Sequence, residues 1–390
     1  MNVAIIWHCR YPWDIRIEKF ARTIARQGHR VILITRGSEE LKEKEIKDGI
    51  IMHRVYFRFP PRFQRLSNIV SLPLFFNPFW FLACARIVYR ECVDVAIVRD
   101  LPLAFPVGIM GRVLGVRTVF DMAENYPAAL IAYDKIQYKF FLFADGWLPR
   151  MYERLSLKCV GHTIVVAEEQ KERLEKQGVP PSRLTIVRNT PESEFFKEYI
   201  GPADKPAGIS GRYILYSGFM DRHRGIRTLI QAFHDIHPDF PDVRLVLIGK
   251  GNDYDEARRL AGELMIAEKV VFTGWMDCRQ IPVWIRHSTV CVIPHLKTEH
   301  TDTTIPNKVF DYLYFGKPVA VSDAKPLQRI VLEAKGGLVF RSGDHLSLSK
   351  ALRSLLTHPW PEERSCNERA LIENKYNWNL DGRVLLETIG

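Results

Sequence analysis

The sequence predicts an α/β protein made of two doubly wound parallel-sheet domains that face each other. Apolar, strand-like segments alternate with helical segments in both halves of the chain, which is typical of a parallel sheet covered by helices on both faces. Residues 191–211 interrupt this alternation with Pro, Gly, Ser and charged residues, as a linker would. A chain of 390 residues is also too long for one hydrophobic core and suits two domains.

The first half supplies a regular series of elements. Val3–Trp7 is an apolar strand pattern, and Ile15–Gln27 has helical spacing that ends at Gly28. A small apolar helix ends at Gly115, and a charged helix ends at Gly178. The other strand patterns of this half are rich in β-branched residues, as buried parallel strands are: "HRVILITR", "DVAIVRD", "RTVFDMAE", "HTIVV" and "RLTIVRN".

The alternation restarts after the linker. The strand patterns there are "RYILYSGFM", "VRLVLIGKG", "KVVFTGWM", "TVCVIPH" and "KPVAVSD", separated by helical patterns such as "GIRTLIQAFHDIHPDF" and "DYDEARRLAGELM". We therefore expect a first domain of residues 1–190, a linker of residues 191–211 and a second domain of residues 212–372. A terminal helix, residues 373–390, is expected to pack back on the first domain.

Positive charge is concentrated in the first half. The net charge is +10, and residues 49–90 contain arginines and aromatic residues but no acidic residue. Within them, residues 66–85 are uncharged and long enough to span a membrane, but Pro73 and Pro78 would break such a helix. We interpret the segment as an apolar, arginine-edged surface that lies on an anionic membrane. A buried helix pair with a basic rim is the alternative, and nucleic acid fits less well because no binding motif is present.

The cysteines and the first residues indicate a compartment. Seven cysteines are scattered without a C-x-x-C pair, so the sequence suggests neither a disulfide framework nor a zinc site. The opening residues lack the basic region and the cleavage site of a secretory signal. We expect a reduced, cytoplasmic compartment.

Several strand patterns of the second half end in glycine. Gly218, Gly249 and Gly274 let the backbone approach a ligand closely at the edge where parallel strands end. Arg222 and Arg224 follow the first of these turns, where an arginine can grip two phosphate oxygens. Two solvated surface arginines are the alternative, but three such turns together favour a nucleotide.

Other ligand motifs are missing or ambiguous. The turn after the first strand lacks G-x-G-x-x-G, which argues against a dehydrogenase, and no G-x-x-x-x-G-K-[ST] occurs. Asp253 and Asp255 have a spacing that can bind a divalent metal, but capping of a helix is the favoured interpretation. His295, Glu299 and His300 lack the spacing of metal ligands. We therefore expect no metal site.

The stretch "TDTTIPNKVFDYLYFGKPVAVSD" has two interpretations. In one, Thr303 or Thr304 caps a helix and Pro306 occupies its first turn. In the other, the start of that helix holds an anion, and Asp311 faces the same ligand. The stretch does not distinguish them by itself.

Taken in order, the motifs resemble the retaining glycosyltransferases of family four, of the bacterial surface-polysaccharide type. The motifs that carry the resemblance are "DIRIEKFARTIARQGHRVILIT", "VFDMAENYP", "YSGFMDRHRGI", "LVLIGKG", "VVFTGWMD" and "TIPNKVFDYLYFGKPVAVSD". The resemblance implies the GT-B fold of two facing Rossmann-like domains, with the acceptor on the first and the donor on the second. It also implies a UDP- or GDP-linked sugar as substrate and no cofactor.

The resemblance assigns roles in the second domain. The second glutamate of the family's paired motif falls on Asp311, which would hold the ribose of the nucleotide. The first falls on Thr303, which cannot replace a charge beside the transferred sugar; Asp302 and Glu299 are the alternatives for that charge. The family's basic pair falls near Phe219, which cannot bind phosphate, and on Arg224, which can. The backbone of residues 304–307 is expected to present amides to the phosphates.

The match in the first domain is partial. Asp121 and Glu124 of "DMAE" match the family's D-x-H-E, with Ala123 in place of histidine. Arg16 stands where relatives have a glycine-rich turn and is expected to supply charge to the phosphates. The predicted catalytic residues are Arg224, Asp311 and Glu124. The predicted donor contacts are Arg16, Gly218, Arg222, Gly249, Gly274, Trp275, Met276, Thr303, Thr304, Ile305, Pro306, Asn307 and Lys308.

The function implied by the resemblance is sugar transfer with retention and without a metal. The expected acceptor is a lipid-linked saccharide in the biosynthesis of O-antigen, capsule or exopolysaccharide, and the enzyme is expected on the inner face of the plasma membrane. A nucleotide-sugar 2-epimerase on the same fold is one alternative. A non-catalytic scaffold is another, because Thr303 and Ala123 replace family residues.

Overall fold

The computed structural model describes the chain except for residues 12–13, 58–59, 61–76, 133–145, 200–204, 207–208 and 210. The described residues form two compact units. The first contains residues 1–131, 146–188 and 381–390, and the second contains residue 132 and residues 189–380. Each unit has its own sheet with helices around it, so the predicted fold class of two parallel-sheet α/β domains is confirmed.

The first unit contains an eight-stranded sheet with the order β3-β4-β2-β1-β5-β6-β7-β8. β3 pairs antiparallel with β4, and the other neighbours pair in parallel. Neither β3 nor β4 was predicted. The four residues of β3 are mostly charged and give no apolar strand pattern. The strands are β1 (Asn2–Trp7), β2 (Arg30–Arg36), β3 (Lys44–Lys47), β4 (Ile50–Val55), β5 (Val95–Arg99), β6 (Arg117–Met122), β7 (His162–Val165) and β8 (Leu184–Ile186).

The helices of this half cover the sheet. They are α1 (Ile15–Arg26), α2 (Pro78–Arg90), α3 (Ala104–Leu114), α4 (Tyr126–Ala132), α5 (Trp147–Cys159) and α6 (Glu168–Lys176). Asp14 begins α1 by accepting hydrogen bonds from the backbone N–H groups of Arg16 (2.8 Å) and Ile17 (3.1 Å). Phe20 and Ile24, four residues apart on one face of α1, are fully buried.

The second unit contains a six-stranded, wholly parallel sheet with the order β11-β10-β9-β12-β13-β14. Five of its strands contain predicted patterns, and β14 was not predicted. The strands are β9 (Arg212–Ser217), β10 (Val243–Ile248), β11 (Val270–Gly274), β12 (Val290–Ile293), β13 (Val319–Ser322) and β14 (Gly337–Phe340).

The helices of this half complete the second unit, and the last of them continues into the first unit. They are α7 (Ser193–Lys197), α8 (Ile226–Ile236), α9 (Tyr254–Glu263), α10 (Ile281–His287), α11 (Lys308–Tyr314), α12 (Lys325–Ala334), α13 (His345–Thr357), α14 (Glu362–Asn374) and α15 (Trp378–Ile389).

The strand order of each sheet reverses once near its middle. In the first unit the reversal lies between β1 and β5, and in the second it lies between β9 and β12. Loops leave the two strands at such a point in opposite directions, so a crevice opens outside their carboxyl ends. Each unit therefore has one favoured place for a ligand.

Helix α2 and strand β4 are the described elements of residues 49–90, and α2 contains the described apolar part that was predicted to lie on a membrane. It buries Trp80, Cys84 and Val88, whereas its exposed face carries Phe79, Leu82, Arg86, Tyr89 and Arg90. Residues 61–76 of the segment lie outside the described residues. None of the helices in the described ranges has the length and hydrophobicity needed to cross a membrane.

Candidate functional site

The carboxyl ends of β9 and β12 bring two cations near each other in the second unit. Arg224 ends a short 3-10 turn, Arg222–Arg224, that follows β9, and Lys308 begins α11 after the loop that follows β12. His295 lies two residues beyond β12. Because the two strands are neighbours at the reversal of strand order, their loops share one crevice.

Arg224 is hydrogen-bonded to His295. Nη1 of Arg224 lies 3.2 Å from Nε2 of His295. A guanidinium can only donate, so the histidine nitrogen accepts and the imidazole is neutral. Burial and the charge of Arg224 lower the pKa of His295 well below its usual range. Nε of Arg224 makes no hydrogen bond to any described residue, which leaves one donor unsatisfied.

Lys308 holds its charge over an aromatic ring. Its ammonium nitrogen lies 3.9 Å from the centre of the Tyr216 ring, a cation–π contact. Tyr216 is fully buried, and its hydroxyl donates to the carbonyl of Phe219. Loss of hydration, and then the charge of Arg224, lower the pKa of Lys308 well below its usual range, whereas Asp311 acts in the opposite direction.

No carboxylate of the described residues lies within ion-pair distance of either cation. Neither Lys308 nor Arg224 forms an ion pair with a carboxylate in the parts of the chain that the structure describes. Positive charge that is partly removed from water is costly unless it is paired. An anionic ligand is the group that would complete this arrangement.

Glycines make room for the lysine. Gly218 has φ 133°, and a Cβ placed on it would lie 2.6 Å from Nζ of Lys308. Gly249 has φ 122°, and a Cβ placed on it would lie 2.1 Å from the carbonyl oxygen of Gly218. A side chain at either position would push the loops apart. These predicted glycines therefore shape the crevice, and their direct contact with a donor stays a prediction.

Three buried histidines surround the cations. Burial, and then the charge of Arg224, lower the pKa of His223 to about 3. The rings of His223 and His300 lie 6.2 Å apart in an edge-to-face arrangement. We call Arg224, Lys308, His223, His295 and His300 the cationic cluster. Sequence reasoning weighed His295 and His300 only as metal ligands and missed His223, although "RHR" in the loop after a strand was a usable signal.

The loop before α11 differs from both predicted capping arrangements. The hydroxyl of Thr303 donates to the carbonyl of Glu299 (2.9 Å), and that of Thr304 donates to the carbonyl of His300 (2.9 Å). Neither threonine caps the helix, because each finds a carbonyl acceptor within its own turn; Asn307 occupies the cap position without a side-chain hydrogen bond. The predicted caps are therefore wrong, as is the first-turn position of Pro306, since the helix begins at Lys308.

The acidic groups near the second sheet have different roles. Asp311 lies in the first turn of α11 and is half-buried. Asp253 occupies the cap position of α9, as expected, but its carboxylate makes no capping hydrogen bond. Within the described ranges, no three His, Cys, Asp or Glu side chains are arranged to hold a metal ion.

An exposed aromatic pair lies on the same sheet edge as the cationic cluster. Phe219 and Trp275 are 55% and 58% exposed, and their ring centres lie 4.9 Å apart at 77°. Each directly follows a strand-end glycine. Exposed aromatic surface in this position fits the stacking of a planar base or a sugar ring. Met276 and Ile305, also predicted donor contacts, instead pack in part against the hydrophobic core.

Arg16 does not fit the role of phosphate ligand that was predicted for it. It is 2% exposed in the first unit, and its Nε and Nη2 bind the equally buried carboxylate of Asp121 at 2.7–3.0 Å. The same guanidinium donates to the carbonyls of Val187 (2.9 Å) and Arg188 (3.2 Å). Nearly all its donors are used within the protein, so we correct its role to structural.

The structure divides the remaining predicted residues between the units. Glu124 lies two residues after β6 in the first unit and is half-buried. The others lie at the carboxyl edge of the second sheet: Gly218, Arg222, Arg224, Gly249, Gly274, Trp275, Met276, Asp311 and residues 303–308. Arg222 and Asn307 are exposed there. Their contacts with a donor stay predictions.

Family models match both halves of the chain. Residues 14–190 match the model described as glycosyl transferase 4-like domain, and residues 204–376 match the model described as glycosyl transferases group 1. Among curated relatives, the phosphatidyl-myo-inositol mannosyltransferase of Mycobacterium leprae is 27% identical over 171 residues, which is 44% of each chain. The match thus spans less than half the length of that relative.

Solved structures share the whole fold. The sucrose-phosphate synthase from Thermosynechococcus elongatus gives a TM-score of 0.73 at 18% identity, over 99% of this chain and 98% of that one. Anabaena Alr3699/HepE in complex with UDP-glucose gives a TM-score of 0.70 at 14% identity, over 100% and 99% of the two chains. At this level of identity the likeness establishes the fold.

Proposed function

Because this chain belongs to the family four glycosyltransferases with a GT-B fold, we propose that it moves a sugar from a nucleoside diphosphate to a saccharide acceptor. The observation that carries the proposal is the cationic cluster. Lys308 and Arg224 are drawn partly out of water without a paired carboxylate among the described residues. A diphosphate supplies the missing negative charge, and the solved UDP-glucose complex of a structural relative supports a nucleotide sugar.

The chemistry asked of the cluster is stabilisation of a leaving group. As the bond between the anomeric carbon and the diphosphate oxygen breaks, negative charge grows on the diphosphate. Arg224 and Lys308 are already in place to bind that charge. The Nε–H group of Arg224 makes no hydrogen bond to the described residues and can donate one to the diphosphate. The acceptor oxygen bonds to the anomeric carbon on the face that the diphosphate leaves, and the diphosphate takes its proton. The sugar then keeps its anomeric configuration.

Other residues of this edge are proposed to hold the rest of the donor. Asp311 binds the ribose hydroxyls, and the exposed pair Phe219 and Trp275 stacks on the base or sugar of the donor. Arg224 and Lys308 supply two fixed positive charges, which is the work that a divalent metal performs in other transferases. We therefore propose transfer without a metal.

The proposed acceptor is a saccharide linked to a lipid. The exposed face of α2 combines apolar side chains, Phe79, Leu82 and Tyr89, with Arg86 and Arg90. Such a face binds an anionic membrane surface by partial burial and by charge. The Mycobacterium leprae relative, named for a phosphatidyl-myo-inositol acceptor, supports the same class. The proposed setting is the synthesis of cell-surface polysaccharide on the inner face of the plasma membrane.

The experiment that tests the function uses radiolabelled UDP- and GDP-hexoses with membranes of the source cells as the acceptor pool. The expected result is transfer of label into the lipid fraction that survives EDTA, with a product whose anomeric configuration, read by NMR, matches that of the donor. Conversion of the donor without acceptor would indicate the 2-epimerase instead. Absence of both transfer and conversion would indicate a scaffold.

A further inference from the structure

The carboxyl edge of the first sheet holds a residue in a conformation that its side chain does not favour. Asp100, directly after β5, has φ 66° and ψ 165°. This region is essentially restricted to glycine, because a Cβ there clashes with the backbone. The carboxylate does not cap the 3-10 turn that follows, Leu101–Leu103, so capping does not explain the strain.

The surroundings hold the Asp100 side chain in place. Nη1 of Arg99 donates to Oδ1 of Asp100 at 2.8 Å, and the same guanidinium pairs with Asp14 at 2.9 Å. The backbone N–H of Asp100 donates to the carbonyl of Asp121 at 3.1 Å. The side chain is 17% exposed, and none of the described residues donates to its second oxygen, Oδ2. One carboxylate oxygen is therefore fixed and the other is open.

Neighbouring strands end in further polar groups that have no partner in the part of the chain that the structure describes. Trp7 at the end of β1, in register with Arg99, is 6% exposed and its Nε1 has no hydrogen-bond partner among the described residues. The same is true of Nδ1 of His8, the next residue, and of Nδ2 of the fully buried Asn125, three residues after β6. Buried polar atoms are rarely left in this state unless a ligand or water completes them.

These groups suit a ligand with many hydroxyls. An indole N–H and an amide NH₂ donate, whereas Oδ2 of Asp100 accepts. A sugar hydroxyl does both, so adjacent hydroxyls of one ring can satisfy groups of both kinds. The ends of β1, β5 and β6 are consecutive in the sheet order, so these groups lie along one edge at the point where strand order reverses.

Burial raises the pKa of Asp100 to about 7, against the pull of Arg99, and Glu124, Asp14 and Asp121 add to the rise. A hydrogen bond that a ligand hydroxyl donates to Asp100 favours the ionised form and so opposes this rise.

We propose that Asp100 accepts a hydrogen bond from a hydroxyl group of the saccharide acceptor and so fixes the acceptor for attack. The inference rests on the proposed function and names a residue that sequence reasoning missed. Asp100 takes no part in bond making, and the attacking hydroxyl gives its proton to the departing diphosphate as described above. The strain at Asp100 persists because the site needs a carboxylate at a position where glycine would be more stable.

The test replaces Asp100 with glycine and with asparagine. Asp100→Gly relieves the strain, so we expect its melting temperature to rise by roughly 2–4 °C. Transfer from a radiolabelled nucleotide sugar to membranes of the source cells should fall by about 10- to 100-fold, as expected for loss of a hydrogen bond to a charged group. Asp100→Asn keeps the size of the side chain and should raise the amount of membrane needed for half-maximal rate. Calorimetric affinity for the nucleotide sugar should stay unchanged in both variants.

Asp48→Gly is the matched control, because Asp48 is an exposed aspartate with φ 52° in the same unit. It should alter transfer by less than about twofold. Full transfer by Asp100→Gly, or a loss of donor affinity in either Asp100 variant, would overturn the inference while leaving the proposed function intact. Absence of transfer by the unmodified protein would overturn the proposed function, and this inference with it.

Discussion

The ammonium group of Lys308 lies 3.9 Å from the centre of the Tyr216 ring and has no paired carboxylate among the described residues. The ring stabilises the charge only in part, because a cation–π contact does not replace hydration or an ion pair. The ligand-free protein therefore holds a destabilising charge next to Arg224. A bound diphosphate would pair with this charge, and the relief of the destabilisation would favour binding.

Replacing Lys308 with methionine should stabilise the ligand-free protein and remove its ability to bind a nucleotide. The substitution deletes a partly desolvated charge and keeps the volume of the side chain. We expect a melting temperature higher by roughly 2–4 °C for each ~1 kcal/mol recovered. The stabilisation that UDP or GDP gives to the unmodified protein should disappear. Differential scanning calorimetry with and without nucleotide measures both effects.

Lys250→Met is the control for Lys308→Met. Lys250 is exposed in the same unit, and its ammonium lies 5.5 Å from the centre of the Tyr254 ring. It should leave both the melting temperature and the nucleotide effect nearly unchanged. A Lys308→Met protein that is less stable but still stabilised by nucleotide would contradict the role given to the lysine.

Donor binding should take up protons near neutral pH. The pKa values of His223 and His295 are lowered in the ligand-free protein by burial and by Arg224. A bound diphosphate raises them, so any group whose ligand-free pKa lies below the pH and whose bound pKa lies above it gains a proton. By linkage, affinity then falls as pH rises. His300 and Asp311 lie near the same groups and are part of the balance.

The uptake is measured by calorimetry in buffers of different ionisation enthalpy, at constant pH and ionic strength. A sugar nucleotide is the suitable ligand, because its diphosphate does not ionise near neutral pH and so does not contribute to the measured number of protons taken up. The observed heat should increase with the ionisation enthalpy of the buffer. A zero or negative slope would show that the cluster does not gain protons.

Arg16→Met should destabilise the first unit without weakening donor binding. The substitution leaves the buried carboxylate of Asp121 with only its longer contact to Arg99 (3.7 Å), so we expect a cost of up to about 3–5 kcal/mol. Urea unfolding measures the loss. The double variant Arg16→Met/Asp121→Leu should regain part of it, because the carboxylate that lost Arg16 is then removed and Arg99 keeps its pair with Asp14. Lower affinity for UDP at unchanged stability would instead restore the phosphate role for Arg16.

Leu82→Glu should prevent binding to anionic membranes. Leu82 is 65% exposed on the face of α2 that carries Arg86 and Tyr89, and a carboxylate there opposes both apolar burial and attraction to anionic lipid. Flotation with vesicles of phosphatidylglycerol and phosphatidylethanolamine measures binding. Leu346→Glu, at an equally exposed leucine (65%) of α13 in the second unit, should float like the unmodified protein. Equal flotation of all three proteins would contradict the proposal that α2 binds the membrane surface.

The fold was readable from the sequence because buried parallel strands leave a strong local signal. "VILIT" and "LVLIG" are nearly continuous apolar runs, and each is followed by a helical pattern that a glycine ends. β3 has no such run, since Lys44–Lys47 lies at the edge of its sheet and is mostly exposed. Charged side chains on an edge strand oppose pairing with another chain, and they make its sequence resemble that of a loop.

The site was only partly readable. Arg224 was identified from its position after a strand and Lys308 was one of the donor contacts that the resemblance implied; the topology then placed both at one crevice. Arg16 was misread, because the sequence shows a cation in the right turn but not the buried Asp121, 105 residues away, that holds it. Asp100 was missed since backbone strain has no sequence signal unless glycine marks it.

The central claim is that Arg224 and its neighbours bind a diphosphate, and titration calorimetry of UDP, GDP and their sugars tests it most directly. The unmodified protein should bind at least one of these nucleotides, and Arg224→Ala should weaken binding by about 10- to 100-fold through loss of charged hydrogen bonds. Arg227→Ala, at an exposed arginine in the next turn that pairs with Glu256, should bind normally. No measurable binding of any of these ligands, or equal affinity in the Arg224→Ala protein, would contradict the account.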